Sequence, residues 1–158
     1  MKRPSLDEYY LNIAKAVSER STCLKKHYGA VLVKNGEIIS TGYNNPPRGE
    51  PHCWTCTKCD SGKDMATFAT CPAVHAEMNA IISASRNEML GADLYLAGYS
   101  VKTGEPIECE AWPCEICLRL IKNAGIYRLI NKKGICYMRL DENNPNSELI
   151  QYIEKEPD

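Results

Sequence analysis

The chain has 158 residues, of which 44% are hydrophobic and 25% are charged. This length and composition suit a folded domain of ordinary size and exclude a disordered or fibrous chain. Nineteen basic residues against twenty acidic ones leave a formal charge of -1, which argues against tight, non-specific binding to nucleic acid. No run approaches the roughly 20 apolar residues of a membrane-spanning helix, and the first residues lack the apolar stretch of a secretory signal. We therefore expect a cytoplasmic protein.

The first third of the chain shows one helix and one hairpin before its pattern breaks down. Apolar residues recur at helical spacing over residues 6–17, after a start signal at Pro4-Ser5. Asn35-Gly36 separates two short apolar runs and is a strong signal for a hairpin turn. No hydrophobic period organises residues 44–70, which are polar. Because a structureless loop of that length is unusual in a compact domain, we expect a bound metal to supply the missing core.

In the rest of the chain, segments with helical spacing of apolar residues alternate with short strand-like apolar runs. Predicted helices cover residues 73–85, 113–121 (with a C-cap at residues 123–125) and 147–154, and predicted strands cover residues 94–96, 107–111, 126–130 and 135–140. No internal repeat or domain boundary interrupts this alternation, which is typical of an α/β layered fold. We therefore predict a single domain over residues 1–158, with a cysteine-rich, metal-stabilised insertion at about residues 44–72.

The cysteines point to metal binding. Nine is a high and odd number for a chain of this length, and without a signal peptide a disulfide framework is not expected. Most of them are clustered at short spacings: Cys53, Cys56 and Cys59 with Cys71 nearby, and separately Cys114 and Cys117. Such clusters are typical of metal ligands, whereas the isolated Cys109 and Cys136 lie in strand-like runs and are expected to be buried.

One set of residues predicts a catalytic zinc. Such a site requires three protein ligands and an open fourth position, which the imidazole of His75 and the thiolates of Cys114 and Cys117 would provide. Both groups lie at predicted helix N-termini, where backbone N–H groups favour anionic sulfur and hydroxide. Glu77 would not bind the metal; it would move a proton from the zinc-bound water to the substrate nitrogen and the leaving ammonia. Taken separately, His75 also fits an ordinary core or surface histidine, and C-x2-C also fits a structural zinc knuckle.

The order H-x-E followed by P-C-x-x-C is the signature of zinc-dependent nucleobase deaminases. With GAVLVK at 29–34, ISTGYN at 39–44, HAEMNAI at 75–81 and PCEIC at 113–117, the chain resembles the cytidine and deoxycytidylate deaminase superfamily, above all its deoxycytidylate (dCMP) deaminases. The resemblance extends from residue 21 to residue 134. It implies a three-layer fold, with a five-stranded mixed sheet and helices on both faces, and hydrolysis of a cytosine nucleotide to a uracil nucleotide, with dCMP as the first candidate.

The resemblance also implies substrate contacts. Asn44 matches a residue that hydrogen-bonds the sugar. Arg86 matches an arginine near the nucleotide phosphate and a subunit contact, and Arg48 is a second candidate for the phosphate. Either arginine could instead be a solvated surface charge.

A second, structural zinc is implied in the same way. Cys23 and Cys53 match positions that bind such a zinc in some dCMP deaminases, and Cys71 precedes the catalytic helix as in that group. We assign Cys59 as the fourth ligand and leave Cys56 and His52 as alternatives.

The chain departs from the family ahead of the P-C-x-x-C helix. Residues 98–109 contain extra residues, and Glu110-Ala111-Trp112 occupies the approach to the base and sugar. Trp112 either stacks on the base or packs against the inserted hairpin. Because these residues would alter the substrate, deamination of another nucleoside or nucleobase, including a purine, stays open.

Two further classes of function remain as alternatives. A deaminase of tRNA or single-stranded DNA would need aromatic residues beside a basic groove, which one Phe, two Trp and a balanced charge do not favour. A non-enzymatic, zinc-stabilised regulator would not need Glu77. The resemblance further implies a homo-oligomer, either a hexamer or a dimer, and regulation by dCTP and dTTP with Mg²⁺.

Overall fold

The computed structural model describes residues 2–56, 71–105, 112–138 and 150–154. The helices in these ranges are α1 (Leu6–Ser18), α2 (Ala76–Ile82), α3 (Arg86–Met89) and α4 (Glu115–Ala124). The strands are β1 (Lys26–Lys34), β2 (Glu37–Tyr43), β3 (Asp93–Ser100), β4 (Arg128–Ile130), β5 (Gly134–Met138) and β6 (Ile150–Glu154).

The strands form one mixed sheet in the order β2-β1-β3-β4-β5-β6. The pair β3–β4 is parallel and the other neighbouring pairs are antiparallel. One buried cluster joins α1 to one face of the sheet, and a second joins α2 and α4 to the opposite face. The predicted three-layer α/β fold is confirmed, with β6 as a sixth strand beside the expected five.

The expected C-terminal helix over residues 147–154 is wrong for residues 150–154. Their backbone pairs antiparallel with β5 along its whole length. A segment this short carries too few periods to distinguish a helix from a strand, so the unpaired edge of β5 decides its conformation.

Local signals set the first helix and the hairpin where the sequence predicts them. The Ser5 hydroxyl accepts a hydrogen bond from the Glu8 N–H (3.2 Å), and the Glu8 carboxylate accepts one from the Ser5 N–H (2.7 Å). This reciprocal capping box starts α1. At the hairpin, Asn35 (φ 53°) and Gly36 (φ 80°) both have positive φ, as a type I′ turn requires.

Other predicted elements differ in length. The helix expected over residues 73–85 is shorter, as α2, and α3 follows it separately. Strand β3 is longer than expected because it pairs with β1 down to the register Lys26–Ser100. Helix α4 ends at the predicted C-cap, Gly125. The strand expected over residues 107–111 lies outside the described residues, as do residues 57–70 of the polar insertion. Within the ranges that the structure describes, no helix is long and apolar enough to cross a membrane.

Helix α2 lies unusually close to β2, and this contact positions the residues that follow His75. A Cβ atom at Gly42 would lie 2.2 Å from the Ala76 carbonyl oxygen and 2.4 Å from the Ala80 nitrogen. Beside it, the Ser40 hydroxyl donates a hydrogen bond to the Ala80 carbonyl (2.7 Å), and the Asn79 amide donates one to the Tyr43 carbonyl (2.8 Å). The absence of a side chain at Gly42 therefore sets the height of α2 above the sheet.

We predict that Gly42→Ala destabilises the protein by roughly 1–3 kcal/mol or more, because the new methyl group meets backbone that cannot rotate away. Thr41→Ala is the matched control, since Thr41 is exposed on the same strand. Urea denaturation measures both changes. Equal stability of Gly42→Ala and the unmodified chain would contradict the close packing of α2 on β2.

Candidate active site

His75 stands at the junction between an extended segment and α2. Val74 pairs with Asn45 through two backbone hydrogen bonds of 2.8 and 3.2 Å, which fix the approach of the chain. His75 then takes the N-cap position of α2 with extended backbone (φ -71°, ψ 156°), and its side chain does not cap the helix. The imidazole therefore lies at the helix N-terminus without serving as its cap.

The two cysteines of the P-C-x-x-C motif occupy the equivalent end of α4. Cys114 is the N-cap residue, and its sulfur accepts a hydrogen bond from the Cys117 N–H at 3.5 Å. Cys117, in the first turn, is fully buried. Because each residue begins a helix, the positive ends of two helix dipoles are directed at the same region.

The structure brings the three predicted ligand atoms together. His75 Nδ1 lies 3.6 Å from Cys114 Sγ and 3.5 Å from Cys117 Sγ, and all three atoms lie within 4.8 Å of one another. One nitrogen and two sulfur donors at these separations are the donor set that zinc prefers. Burial, with a smaller contribution from Glu77, raises the pKa of the Cys117 thiol, so a bound cation is needed to hold it as a thiolate.

Glu77 is buried beside this group without belonging to it. Only 6% of its surface is exposed, and the set of three converging donors in the described residues does not include its carboxylate. Burial raises the pKa of Glu77, while hydrogen bonds from its own backbone N–H and from Cys117 partly oppose the shift. A carboxyl group with a raised pKa accepts a proton more readily near neutral pH, as a proton shuttle must.

A cavity of about 330 Å³ opens next to these side chains. His75, Glu77 and Cys114 line it, so two of the three donor residues and the buried carboxyl group border a space that can hold a small molecule. The other lining residues are Cys23, Lys25, Lys26, Tyr28, Asn44, Cys56, Cys71, Ala73, Ala76, Leu96 and Trp112.

Of the predicted substrate contacts, Asn44 and Trp112 line this cavity. The Asn44 amide accepts a hydrogen bond from the Tyr28 N–H (2.7 Å) and donates one to the Lys26 carbonyl (2.9 Å), which leaves one lone pair and one N–H for a ligand. Trp112 packs against the buried cluster that joins α2 and α4 to the sheet. Glu110 lies outside the described residues.

The structure does not bring the two predicted arginines to the cavity. Arg86 begins α3, and its Nε donates to the Asn123 carbonyl at 3.4 Å. Arg48 is exposed in the turn after β2. Neither side chain lines the cavity in the described part of the chain.

Among the lining residues that sequence analysis missed, Lys25, Lys26 and Tyr28 carry polar groups. Burial raises the pKa of Tyr28 to about 12, with smaller contributions from Glu77 and Cys23. The sequence contained a signal for two of them. In a strand, alternate residues share a face, so Tyr28 and Lys26 lie on the same face as the buried Ala30.

Four other thiols lie near one another. Cys23, Cys56 and Cys71 line the cavity, and burial followed by the charges of Cys71, Cys23 and Cys56 raises the pKa of Cys53. In the described ranges, only the group containing His75 has all its donor atoms within 4.8 Å of one another, so these four sulfurs are less tightly grouped.

The remaining candidates for this cluster are placed differently. Cys59 lies outside the described residues. His52 Nδ1 lies 3.0 Å from the Thr22 hydroxyl, and that hydroxyl also donates a hydrogen bond of 2.6 Å to Asn45. His52 is therefore tied to the loop that precedes Cys23.

Comparison with known proteins agrees with this geometry. The family described as cytidine and deoxycytidylate deaminase zinc-binding region matches residues 4–132. A deoxycytidylate deaminase of Mycobacterium phage D29 is 40% identical over 139 residues, which cover 84% of this chain and 98% of the phage protein. One from Saccharomyces cerevisiae is 32% identical, over 90% of this chain and 41% of the yeast protein.

A solved structure is also similar. The dCMP deaminase from the cyanophage S-TIM5, in complex with dCMP and dUMP, superposes with a TM-score of 0.56 at 27% identity and covers 83% of each chain. The family match over residues 4–132 includes both halves of the motif, H-x-E at residues 75–77 and P-C-x-x-C at residues 113–117. The chain therefore belongs to the cytidine and deoxycytidylate deaminase family.

Proposed function

We propose that this chain is a zinc-dependent hydrolase that converts dCMP and water to dUMP and ammonia. One observation carries the proposal: an imidazole nitrogen and two sulfurs converge beside a cavity that His75 and Cys114 line, next to a buried carboxyl group. The relatives named deoxycytidylate deaminase, and the similar structure that holds dCMP and dUMP, support the choice of substrate.

In this proposal His75, Cys114 and Cys117 hold the zinc. When bound, zinc lowers the pKa of a water molecule, so that a nucleophile is available at neutral pH. Glu77 would take the proton that this water loses and deliver it to the pyrimidine ring nitrogen, and would then carry the second proton of the same water to the leaving amine. Its buried position suits both steps, because the raised pKa lets the carboxyl group hold a proton between them.

Asn44 and Trp112 would orient the substrate. The unused N–H and lone pair of the Asn44 amide suit a sugar hydroxyl, which both donates and accepts hydrogen bonds. The indole of Trp112 provides an apolar surface in the same cavity and can pack against the base. Arg48 and Arg86 stay predictions, since neither is among the cavity-lining residues in the described ranges.

We also propose that Cys23, Cys53, Cys56 and Cys71 bind a second, structural zinc. The mutual effect of these thiols on the pKa of Cys53 supports their proximity, and Cys56, unlike Cys59, lies among the described cavity-lining residues. Four thiolates would complete a tetrahedral site and attach the polar insertion to the sheet.

Several finer expectations remain predictions: the homo-oligomer, its regulation by dCTP and dTTP with Mg²⁺, and the cytoplasmic location. The single domain over residues 1–158 is likewise proposed.

Glu77→Gln tests the chemistry separately from metal binding. We expect kcat for ammonia release from dCMP to fall roughly 10²–10⁴-fold, because the amide cannot carry the proton, while the zinc content stays unchanged. Glu37→Gln is the control, since Glu37 is exposed at the start of β2. The substrates are dCMP, CMP, deoxycytidine, cytidine and guanine. Full activity of Glu77→Gln would refute the role of Glu77.

Cys117→Ser tests the catalytic metal site. We expect the variant to lose one zinc per chain and all measurable turnover, because a serine hydroxyl is a much poorer zinc ligand than a thiolate. Cys136→Ala is the matched control, since Cys136 is also buried but lies on β5 within the core. Elemental analysis of the purified proteins measures the zinc. Unchanged zinc in Cys117→Ser would exclude Cys117 as a ligand.

Two separate variants, Cys56→Ser and Cys59→Ser, test the second site. We expect two zinc ions in the unmodified chain, one in Cys56→Ser, and two in Cys59→Ser. If Cys59→Ser loses one zinc and Cys56→Ser does not, the fourth ligand is Cys59 rather than Cys56. A single zinc in the unmodified chain would eliminate the structural site.

A further inference from the structure

His75 lies between two peptide groups that are each held by a hydrogen bond. On its C-terminal side, the His75 carbonyl accepts a hydrogen bond of 3.0 Å from the N–H of Asn79 in α2. On its N-terminal side, the Val74 carbonyl, which belongs to the peptide group before His75, accepts one of 3.2 Å from the Asn45 N–H. The orientations of these two groups fix φ and ψ of His75, and therefore the direction in which its side chain leaves the backbone.

The two sides of His75 differ in how strongly they are supported. The C-terminal side belongs to α2, which packs closely on β2 at Gly42. The N-terminal side depends on an isolated bridge between Asn45 and Val74, which lies outside the six strands. Strand β2 ends at Tyr43, and the proline that follows Asn45 has no N–H with which to extend the pairing. Because a single pair of hydrogen bonds contributes little net stability, this bridge needs further contacts to hold its position.

The loop between α1 and β1 supplies a first such contact through Ser21. The Ser21 hydroxyl donates a hydrogen bond of 2.6 Å to the Asn44 carbonyl. This carbonyl and the Asn45 N–H are the two ends of one peptide group, so Ser21 holds the group whose other end binds Val74. Ser21 is 5% exposed, and its oxygen also accepts a hydrogen bond of 3.2 Å from the Cys23 N–H. The buried hydroxyl is therefore held in the orientation that this chain of hydrogen bonds requires.

Thr22, in the same loop, holds the side chain of Asn45. The Oδ1 atom of Asn45 accepts hydrogen bonds from the Thr22 N–H (3.1 Å) and from the Thr22 hydroxyl (2.6 Å). A hydroxyl has one hydrogen, and Thr22 uses it on Asn45, so the Nδ1 atom of His52, 3.0 Å away, is the donor in its contact with Thr22. Asn45 is thus tied to Thr22 through its side chain and to Val74 through its backbone.

Neither Ser21 nor Thr22 borders the cavity in the described ranges. A substitution at either residue therefore leaves the described lining of the cavity unchanged. It changes instead the support of the peptide group that precedes His75. The geometry of a reacting site is sensitive to such changes, since a misplacement of about 1 Å can cost 100-fold in rate.

We propose that Ser21 and Thr22 are positioning residues for His75, acting through the peptide group between Asn44 and Asn45. This inference rests on the proposed function, in which His75 holds the zinc. The loop before β1 sets the backbone on one side of His75, and α2 sets it on the other. Loss of either hydroxyl would widen the range of orientations of the imidazole, so that the metal is held less tightly and the reaction slows.

Two variants, Ser21→Ala and Thr22→Val, each remove one of the hydroxyls. We expect kcat for dCMP to fall roughly 10- to 100-fold in each, as is usual when a group that orients a metal ligand is lost, with KM nearly unchanged. Thr22→Ser keeps the hydroxyl and is expected to retain the kcat of the unmodified chain. Thr41→Val is the matched control, because Thr41 is exposed on β2. A change in KM alone would assign the network to the substrate contact Asn44 and overturn the proposal.

The double variant Ser21→Ala/Thr22→Val tests whether the two hydroxyls act through one peptide group. Substitutions within one hydrogen-bond network have non-additive effects. We therefore expect kcat of the double variant to be close to that of the slower single variant. Losses that multiply would show two independent effects and overturn the shared action.

A metal-binding measurement needs no turnover and so separates this inference from the proposed function. Co²⁺ replaces zinc in each protein, and its visible absorption reports the arrangement of the nitrogen and sulfur ligands. The spectrum of Cys117→Ser is subtracted to remove the contribution of any other thiolate site. We expect Ser21→Ala and Thr22→Val to bind Co²⁺ roughly 10-fold more weakly at the His75 site, with altered absorption, and Thr22→Ser to match the unmodified chain.

The outcomes of this measurement distinguish the two claims. Identical Co²⁺ affinities and spectra in all variants, even with a lower stability to urea, would show a purely structural role and overturn the proposal whatever the activity. If the unmodified chain releases no ammonia from any cytosine compound but Thr22→Val still alters the cobalt spectrum, the activity is wrong and the positioning role stands.

Discussion

The close contact between α2 and β2 is the constraint on which the site depends. Gly42 allows the backbone of the helix to touch the strand, and hydrogen bonds from Ser40 and Asn79 lock the two together. Because His75 immediately precedes this helix and Glu77 lies in its first turn, both are placed by backbone packing. Close-packed interiors deform little, so the imidazole and the carboxyl group keep a fixed relation to the sheet.

The electrostatics of the site follow from two helices beginning at the same place. The N-termini of α2 and α4 both face the region between His75, Cys114 and Cys117. Without a metal, burial disfavours charge on Glu77 and Cys117, as the directions of their pKa shifts indicate. A divalent cation reverses that preference for the thiol, since metal binding requires its thiolate form. Zinc binding and folding of this region are therefore expected to support each other.

Part of the lining of the cavity comes from β1, from β3 and from the residue that precedes the P-C-x-x-C motif. The pairing of β3 with β1 extends past Gly98 to Ser100, and the Tyr28 ring uses the space left by that glycine. Trp112 enters the same cavity after the inserted segment. Tyr28 and Trp112 thus bring two aromatic side chains from distant segments of the chain to one cavity.

The sequence by itself determined several features that depend on patterns a few residues long. The helix start at Pro4-Ser5, the turn at Asn35-Gly36, the alternation of helices and strands and the two halves of the zinc motif all rest on spacings of a few residues, and the structure has each of them. Such signals are readable because their physical causes, which are backbone dihedrals, capping and helix N-termini, act within one or two turns.

Only the tertiary structure decided what depends on distant segments. It showed residues 150–154 as a strand, because the free edge of β5 outweighs a weak local preference. It also gave the cavity Lys26 and Tyr28 rather than Arg48 or Arg86. The lining of a cavity depends on which strands pair and in what register, and pairing joins residues as far apart as Tyr28 and Gly98, whose relation no local pattern encodes.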